Sequence, residues 1–516
     1  MLKRVCRGLS AIFTGQALSL VGNLLLVPLF LSHWSTTTYG EWMALSAAIA
    51  YLNAADLGMN AAAGNKMLAA FAKGDLDSYR TVQGSAMAFY VALATAVTGL
   101  CALACWTLPI GAWLGIQSIP AKTAALIAWI LACRTVWQMP VGQVSSVYRS
   151  MGNLAATQWI VNGQAILLVA ITAAVVALGG GVLEVAAWSV LPLAGAACVA
   201  WSMVCRNHRD LAPRLGNARR AELVNLIGPS LLFGLMILAI AFSVQGPVVI
   251  VSAALGGSAV ALLVTTRSLA FLLRQSMGMV NSSLWPELTR LDAAGATSVL
   301  RTGHRLLVVG SVALSCAFAG ALWWEGAEIL QVWTRGRIAA DSTLLRAFLA
   351  SLILQAAWVA SAAFTTATNR HKSLAWCWMA SSSIGVAGSW LLLGRLGLLA
   401  VPVGAIAGEG VACYHFVIRD TCRALGDNYT RFALRLWPGI LLIATASLAV
   451  GWLGHAIAAG PAMLRWLETG MLTTSAAAGT AWLVIGTADR RAVVDLSLRR
   501  FPALRRNVAR TCQLGF

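Results

Sequence analysis

The chain has 516 residues, 59% of them hydrophobic and only 11% charged, with a mean hydropathy of +0.76. A soluble globular core is excluded by that composition, which reads instead as an all-α polytopic membrane protein. The formal net charge of +19 is accounted for by topology and by anionic lipid headgroups, so nucleic acid is not implied as a partner.

A window of about twenty residues predicts about fourteen spanning helices, near 9–32, 40–60, 84–106, 121–142, 156–178, 183–205, 227–252, 257–284, 304–324, 344–368, 373–394, 397–418, 435–456 and 466–487. The opening MLKRVCRG and the apolar run after it resemble a signal peptide. Gln16, Ser19, Asn23 and Pro28 interrupt that run and no small-residue cleavage site follows, so it is read as a retained first helix. Of the 37 Lys and Arg, 28 fall on the side holding the N-terminus, six on the other side and three inside spans. The positive-inside rule then puts both termini in the cytoplasm. Arg499, Arg500, Arg505, Arg506 and Arg510 form a basic tail expected to lie on the inner leaflet.

Gly15 and Pro28 of the first helix recur as Gly234 and Pro247 of the seventh, both offset by 219, and the turn ending at Asn153 resembles one ending at Asn369. Two parallel repeats of six helices are therefore expected, an N-lobe over 1–225 and a C-lobe over 226–425. Residues 426–516 add helices thirteen and fourteen and the basic tail. Eleven cysteines lie within or beside apolar segments or on the basic side, which argues against a disulfide framework. The six histidines have no metal-ligand spacing, so no metal or cofactor is expected beyond a coupling ion, H⁺ or Na⁺.

The three arginines inside spans are Arg134, Arg267 and Arg274. A guanidinium at bilayer depth costs about 2.5–3.5 kcal/mol on the insertion scale and does not lose its proton, so each must face protein, water or an anion. Arg267 and Arg274 are seven residues apart, which on a helix puts them on one face about two turns apart. Arg134 has Gln138 one turn away on its own face. All three are candidate cavity cations; snorkelling or a structural ion pair is the competing reading. Asp56 and Glu409 are the candidate coupling or gating acids, with static salt bridges to the arginines as the alternative. Gln16 and Asn23 on helix one, Gln138, and Gln158 with Asn162 on helix five are candidate sugar contacts, although such side chains serve equally as interhelical hydrogen bonds. Most of the 21 tryptophans, among them Trp34, Trp106, Trp323, Trp324 and Trp437, fall at span ends and read as interfacial anchors.

Four short segments carry a family resemblance: YGEW (39–42), ADLGMNAAAGN (55–65), SSLWPELTRLDAAG (282–295) and EILQVWTRG (328–336). In sequence and in placement along residues 1–425 they resemble segments of the Wzx-type polysaccharide flippases of the multidrug/oligosaccharidyl-lipid/polysaccharide (MOP) exporter superfamily. The resemblance implies two six-helix lobes around a central cavity, alternating access, and export of undecaprenyl-diphosphate-linked oligosaccharide for O-antigen, lipopolysaccharide or exopolysaccharide synthesis. It implies as partners that lipid-linked oligosaccharide, membrane lipids, and polysaccharide polymerase and chain-length proteins. The arginine pattern of the first two helices of lipid II flippases is missing here.

Arginine suits such a cargo because its planar fork binds a diphosphate bidentately. No GxxxxGK[ST] phosphate loop occurs, and the longest outward loop, near 325–343, offers no acid/base pair, so an enzyme is not expected. The rival readings are a cation-coupled small-molecule antiporter of the multidrug type, and a membrane-embedded glycan polymerase or ligase.

Overall fold

The computed structural model describes residues 2–368, 370, 372–457, 460–491 and 493. Asn369, on which part of the expected repeat rests, and the tail residues Arg499, Arg500, Arg505, Arg506 and Arg510 lie outside the described residues. Among those described, the chain is helical and contains no strand. Ten stretches are long and apolar enough to cross a membrane. Two of these, Ser230–Gly278 and Lys372–Ala424, run to 49 and 53 residues, which at about 20 residues per crossing is room for two passes each. The protein is a multi-pass membrane protein.

Contacts divide the chain into two units: Met1–Ser283 with Ala327–Phe348 and Lys372–Cys413, and Leu284–Gly326 with Leu349–His371 and Tyr414–Phe516. The first unit opens with α1 (Leu2–His33) and α2 (Thr36–Ala50), whose start is fixed by the Ser35 hydroxyl accepting from the Thr38 amide at 3.0 Å. The second span does not run straight from 40 to 60 as the hydropathy predicts. After one 3-10 turn, Tyr51–Asp56, the backbone turns left-handed at Leu57 (φ 50°) and Gly58 (φ 75°) and restarts as α3 (Met59–Ala72). Asp56, at the end of the 3-10 segment, accepts from the Tyr90 hydroxyl of α4 and so ties the turn to that helix. Gly58 suits both the left-handed turn and its neighbour, because a Cβ there would lie 2.4 Å from the Ser230 carbonyl oxygen.

The unit continues through α4 (Leu76–Thr107), the single turn α5 (Ile110–Trp113), α6 (Ala121–Ser150), α7 (Leu154–Ala177), α8 (Val182–Trp188) and α9 (Val190–Asn207). Asp75 and Asn153 cap α4 and α7 through the Ser78 and Ala156 amides. Tyr79, Tyr90, Met67 and Val147 lie in an apolar cluster joining α3, α4 and α6. Next comes α10 (Arg220–Ala293), 74 residues broken at Gly256 (φ 80°), where the two expected spans meet. The YGEW segment fastens this hairpin turn. Gly40 meets Gly257 backbone to backbone, Tyr39 is buried, and the fully buried Glu41 accepts from the Gln117, Ser118 and Ile119 amides and the Ser118 hydroxyl at 2.6–3.0 Å. Glu41 thereby satisfies the loop before α6, a role no local pattern signals. Helices α13 (Lys372–Leu396) and α14 (Ala400–Ala412) pack through small residues: a Cβ on Gly408 would lie 2.2 Å from the Ser381 carbonyl oxygen.

The second unit holds α11 (Thr297–Trp333) up to Gly326, α12 (Ser342–Ala367) from Leu349, α15 (Tyr414–Ala424), α16 (Tyr429–Ile457) and α17 (Ala462–Val484). Helices α11 and α16 touch where Gly320 meets Gly451 and Ser447, and the Trp324 indole N–H donates to the Leu448 carbonyl at 3.1 Å. One buried carboxylate ties three helices together. Glu325 of α11, 1% exposed, meets His455 Nδ1 of α16 at 2.9 Å and Arg465 Nε of α17 at 3.3 Å.

Candidate functional site

A cavity of about 560 Å³ opens in the first unit between α1, α2 and the two halves of α10. Arg267 and Arg274 both line it. Arg267 lies eleven residues past the break at Gly256, about 16 Å along the helix at 1.5 Å per residue. Its guanidinium is held there by the other half of the hairpin, donating from Nη1 to the Val244 carbonyl at 2.7 Å. Val244 lies three residues before Pro247 on the first half of α10, so this bond joins the two halves across the hairpin. Arg267 is 9% exposed.

Phe271, between the two arginines in sequence, stands between them in space. Its ring centroid is 5.7 Å from the Arg267 Cζ and 5.2 Å from the Arg274 Cζ, within cation–π range of both. Spacing on the helix face signals the arginine pair but not this ring. Trp333, from the EILQVWTRG segment, lines the opposite wall and is fixed by its indole N–H on the Leu24 carbonyl at 2.8 Å. Asn23, Gln245, Ser268 and Gln275 supply neutral hydrogen-bonding groups, and Tyr39 and Phe30 complete the aromatic wall. The described lining contains two cations and no carboxylate.

The remaining expected residues distribute differently. Arg134 is half-buried on α6, outside the cavity lining, and makes no hydrogen bond or ion pair among the described residues. Gln138 is engaged in a reciprocal amide pair with Gln164 (3.2 and 2.5 Å). Gln158 donates to Asn162 at 3.0 Å, and the buried Asn162 donates to the Ala11 carbonyl at 2.8 Å, so both join α7 to α1. The interhelical reading of these amides is the one the geometry matches. Gly15 is part of that joint, since a Cβ there would lie 2.4 Å from the Asn162 Oδ1. Gln16 presents its backbone carbonyl to Gln275 at 2.9 Å rather than lining the cavity with its side chain. Asp56 accepts from the Tyr90 hydroxyl outside the cavity lining, and Glu409, buried in α14, lies within electrostatic range of Arg274 without lining the cavity.

The site thus holds two guanidinium groups along one helix, one of them fixed on a backbone carbonyl, with aromatic and neutral polar side chains around them, chemistry that suits an anion. No protein-family model matches the sequence, and no curated protein matches it. Solved structures do resemble the fold. An inward-facing multidrug resistance MATE family transporter of the MOP superfamily superposes with a TM-score of 0.67 at 14% identity, over 80% of this chain and 95% of that one. The lipid II flippase MurJ in an inward closed conformation gives 0.63 at 12% identity over 91% and 97%. A MOP superfamily transporter from Pyrococcus furiosus, described as having a binding pocket of reversed polarity, gives 0.61 at 14% over 83% and 97%. The chain therefore has the fold of the MOP-superfamily transporters.

Proposed function

We propose that the protein is a flippase that moves undecaprenyl-diphosphate-linked oligosaccharide across the bacterial inner membrane by alternating access, for cell-surface polysaccharide synthesis. The observation that carries this reading is the cavity lining, with Arg267 and Arg274 present and no carboxylate. A diphosphate is the part of such a cargo that two stacked forks recognise, while Asn23, Gln245 and Gln275 suit sugar hydroxyls and Trp333 and Tyr39 suit sugar faces. In this reading the protein is a transporter rather than an enzyme. Residues 1–225 and 226–425 form two lobes related by a pseudo-two-fold axis along the membrane normal, both termini are cytoplasmic, and H⁺ or Na⁺ is the coupling ion. Polysaccharide polymerase and chain-length proteins are its working partners, and Arg134 meets the cargo in another state of the cycle.

The likeness to a MATE transporter favours a second reading, cation-coupled export of small molecules. A cationic lining repels organic cations, which ranks that reading below the first. The deciding experiment is glycan export in cells. Arg267→Ala is expected to abolish export with normal insertion, because truncating one partner of a desolvated charge contact costs about 2–5 kcal/mol, roughly thirtyfold or more in binding. Arg267→Lys is expected to restore part of it, keeping charge and losing the fork. Wild-type export by Arg267→Gln would contradict the proposal.

A further inference from the structure

The second unit carries another cationic cluster, apart from any cargo reading. Where α16 begins and α17 ends, a small cavity of about 140 Å³ is lined by Arg305, Arg431 and Arg435 with Asp427 and Asp489. Both acids face Arg305: Asp427 accepts from its Nε at 2.8 Å and its Nη2 at 2.5 Å, and Asp489 lies 3.6 Å from its Nη1. Arg490 is turned back on the end of α17, donating to the Leu483 and Ile485 carbonyls at 2.7 and 2.8 Å. Arg431 and Arg435 are left without an ion pair among the described residues, and both are exposed.

Arg435 also lines a second hollow, an open groove of about 450 Å³ running between the helices along Pro438, Gly439, Leu442 and Leu483. Its floor is closed by Gly439, which packs so near Val484 that a Cβ there would lie 2.5 Å from the valine Cγ1. Around it Leu434, Leu441 and Leu483 are 63–72% exposed, a surface that in a multi-pass protein faces acyl chains. One arginine thus joins an apolar trough at acyl depth to a cation-rich pocket at the helix ends.

We propose that this is a binding site for one anionic phospholipid, its phosphate on Arg435 and Arg431 and an acyl chain in the Pro438–Leu442 and Leu483 groove. Charge complementarity selects the headgroup, and the trough selects a lipid over a soluble phosphate. Basic pockets between membrane helices recognise anionic headgroups in this way. The site does not depend on what the Arg267 cavity carries.

Native mass spectrometry of the purified full-length protein tests it, with added phosphatidylglycerol or phosphatidylcholine. Phosphatidylglycerol is expected to stay bound where phosphatidylcholine is lost. The double variant Arg431→Gln/Arg435→Gln, monitored for folding by gel filtration, is expected to bind it roughly thirtyfold more weakly, the factor two surface cations contribute. Arg435→Lys is expected to retain it, as is Arg267→Gln, which separates this site from the cavity. Equal retention of both lipids, unchanged retention in the double variant, or displacement by inorganic phosphate at the same concentration as by phosphatidylglycerol overturns the proposal. Displacement by undecaprenyl phosphate at a lower concentration than by phosphatidylglycerol assigns the groove to a polyprenyl chain, and overturns it too.

Discussion

One cluster from each unit shows two ways of keeping a buried charge. In the second, Glu325 is enclosed by His455, Arg465 and Thr469, and Asp427 grips Arg305 with both oxygens. In the first, Arg267 and Arg274 face a cavity of about 560 Å³ whose lining holds no carboxylate, with the Val244 carbonyl on Arg267, the Phe271 ring beside both, and Glu409 near Arg274 but outside the lining. A charge enclosed by its partners holds helices together; a charge that faces a cavity retains its capacity for a partner from outside. The difference separates scaffolding from site more sharply than depth in the membrane does.

Neutralising the cavity is expected to have the largest effect, and on function rather than folding: Arg267→Ala loses transport while its thermal unfolding midpoint stays near that of wild type. Breaking a closed cluster is expected to do the reverse. Glu325→Gln removes a charged acceptor from His455 and Arg465, a loss of about 1.5–3 kcal/mol, visible as a lowered Tm in purified protein with transport per folded molecule retained. A transport-dead, fully stable Glu325→Gln protein would move that cluster into the mechanism.

A smaller, pH-dependent effect is expected at Asp427. Burial pushes its carboxyl up, but the bidentate Arg305 contact more than reverses this and holds it below the usual carboxylate range. A carboxyl lowered on folding stabilises above its unfolded value of about 3.9, and the benefit disappears as pH falls through the folded value. The Tm advantage of wild type over Asp427→Asn is therefore expected to be full at pH 6 and to shrink below about pH 4. A difference independent of pH removes the ion pair from the account. Least affected is the tail: truncation after about residue 495 is expected to leave substantial transport, and complete loss at normal protein levels would place Arg499, Arg500, Arg505, Arg506 and Arg510 in the mechanism.

Much of this was legible in the chain. Hydropathy places the spans because a bilayer demands about twenty apolar residues in a row, and helical spacing puts Arg267 and Arg274 on one wall because both lie on one unbroken half of α10. The break at Leu57–Gly58 was hidden, since a twenty-residue hydropathy window averages over Asn53, Asp56 and Asn60, and the partner of Asp56, Tyr90, is 34 positions away. Amides were ambiguous for the same reason: nothing local distinguishes Asn23, which lines the cavity, from Asn162, which reaches the Ala11 carbonyl. Glu41 escaped notice because its partners come from a loop 76–78 residues away. Phe271 looked like one more apolar residue on a membrane helix until its neighbours were placed.

The most direct test is equilibrium binding of undecaprenyl diphosphate to purified protein, wild type against Arg267→Gln and Arg267→Lys. The account predicts saturable binding by wild type, a loss of roughly thirtyfold or more in the glutamine variant, and an intermediate affinity for lysine. Equal affinity in all three proteins, or binding of an organic cation such as ethidium in place of the diphosphate, would contradict it.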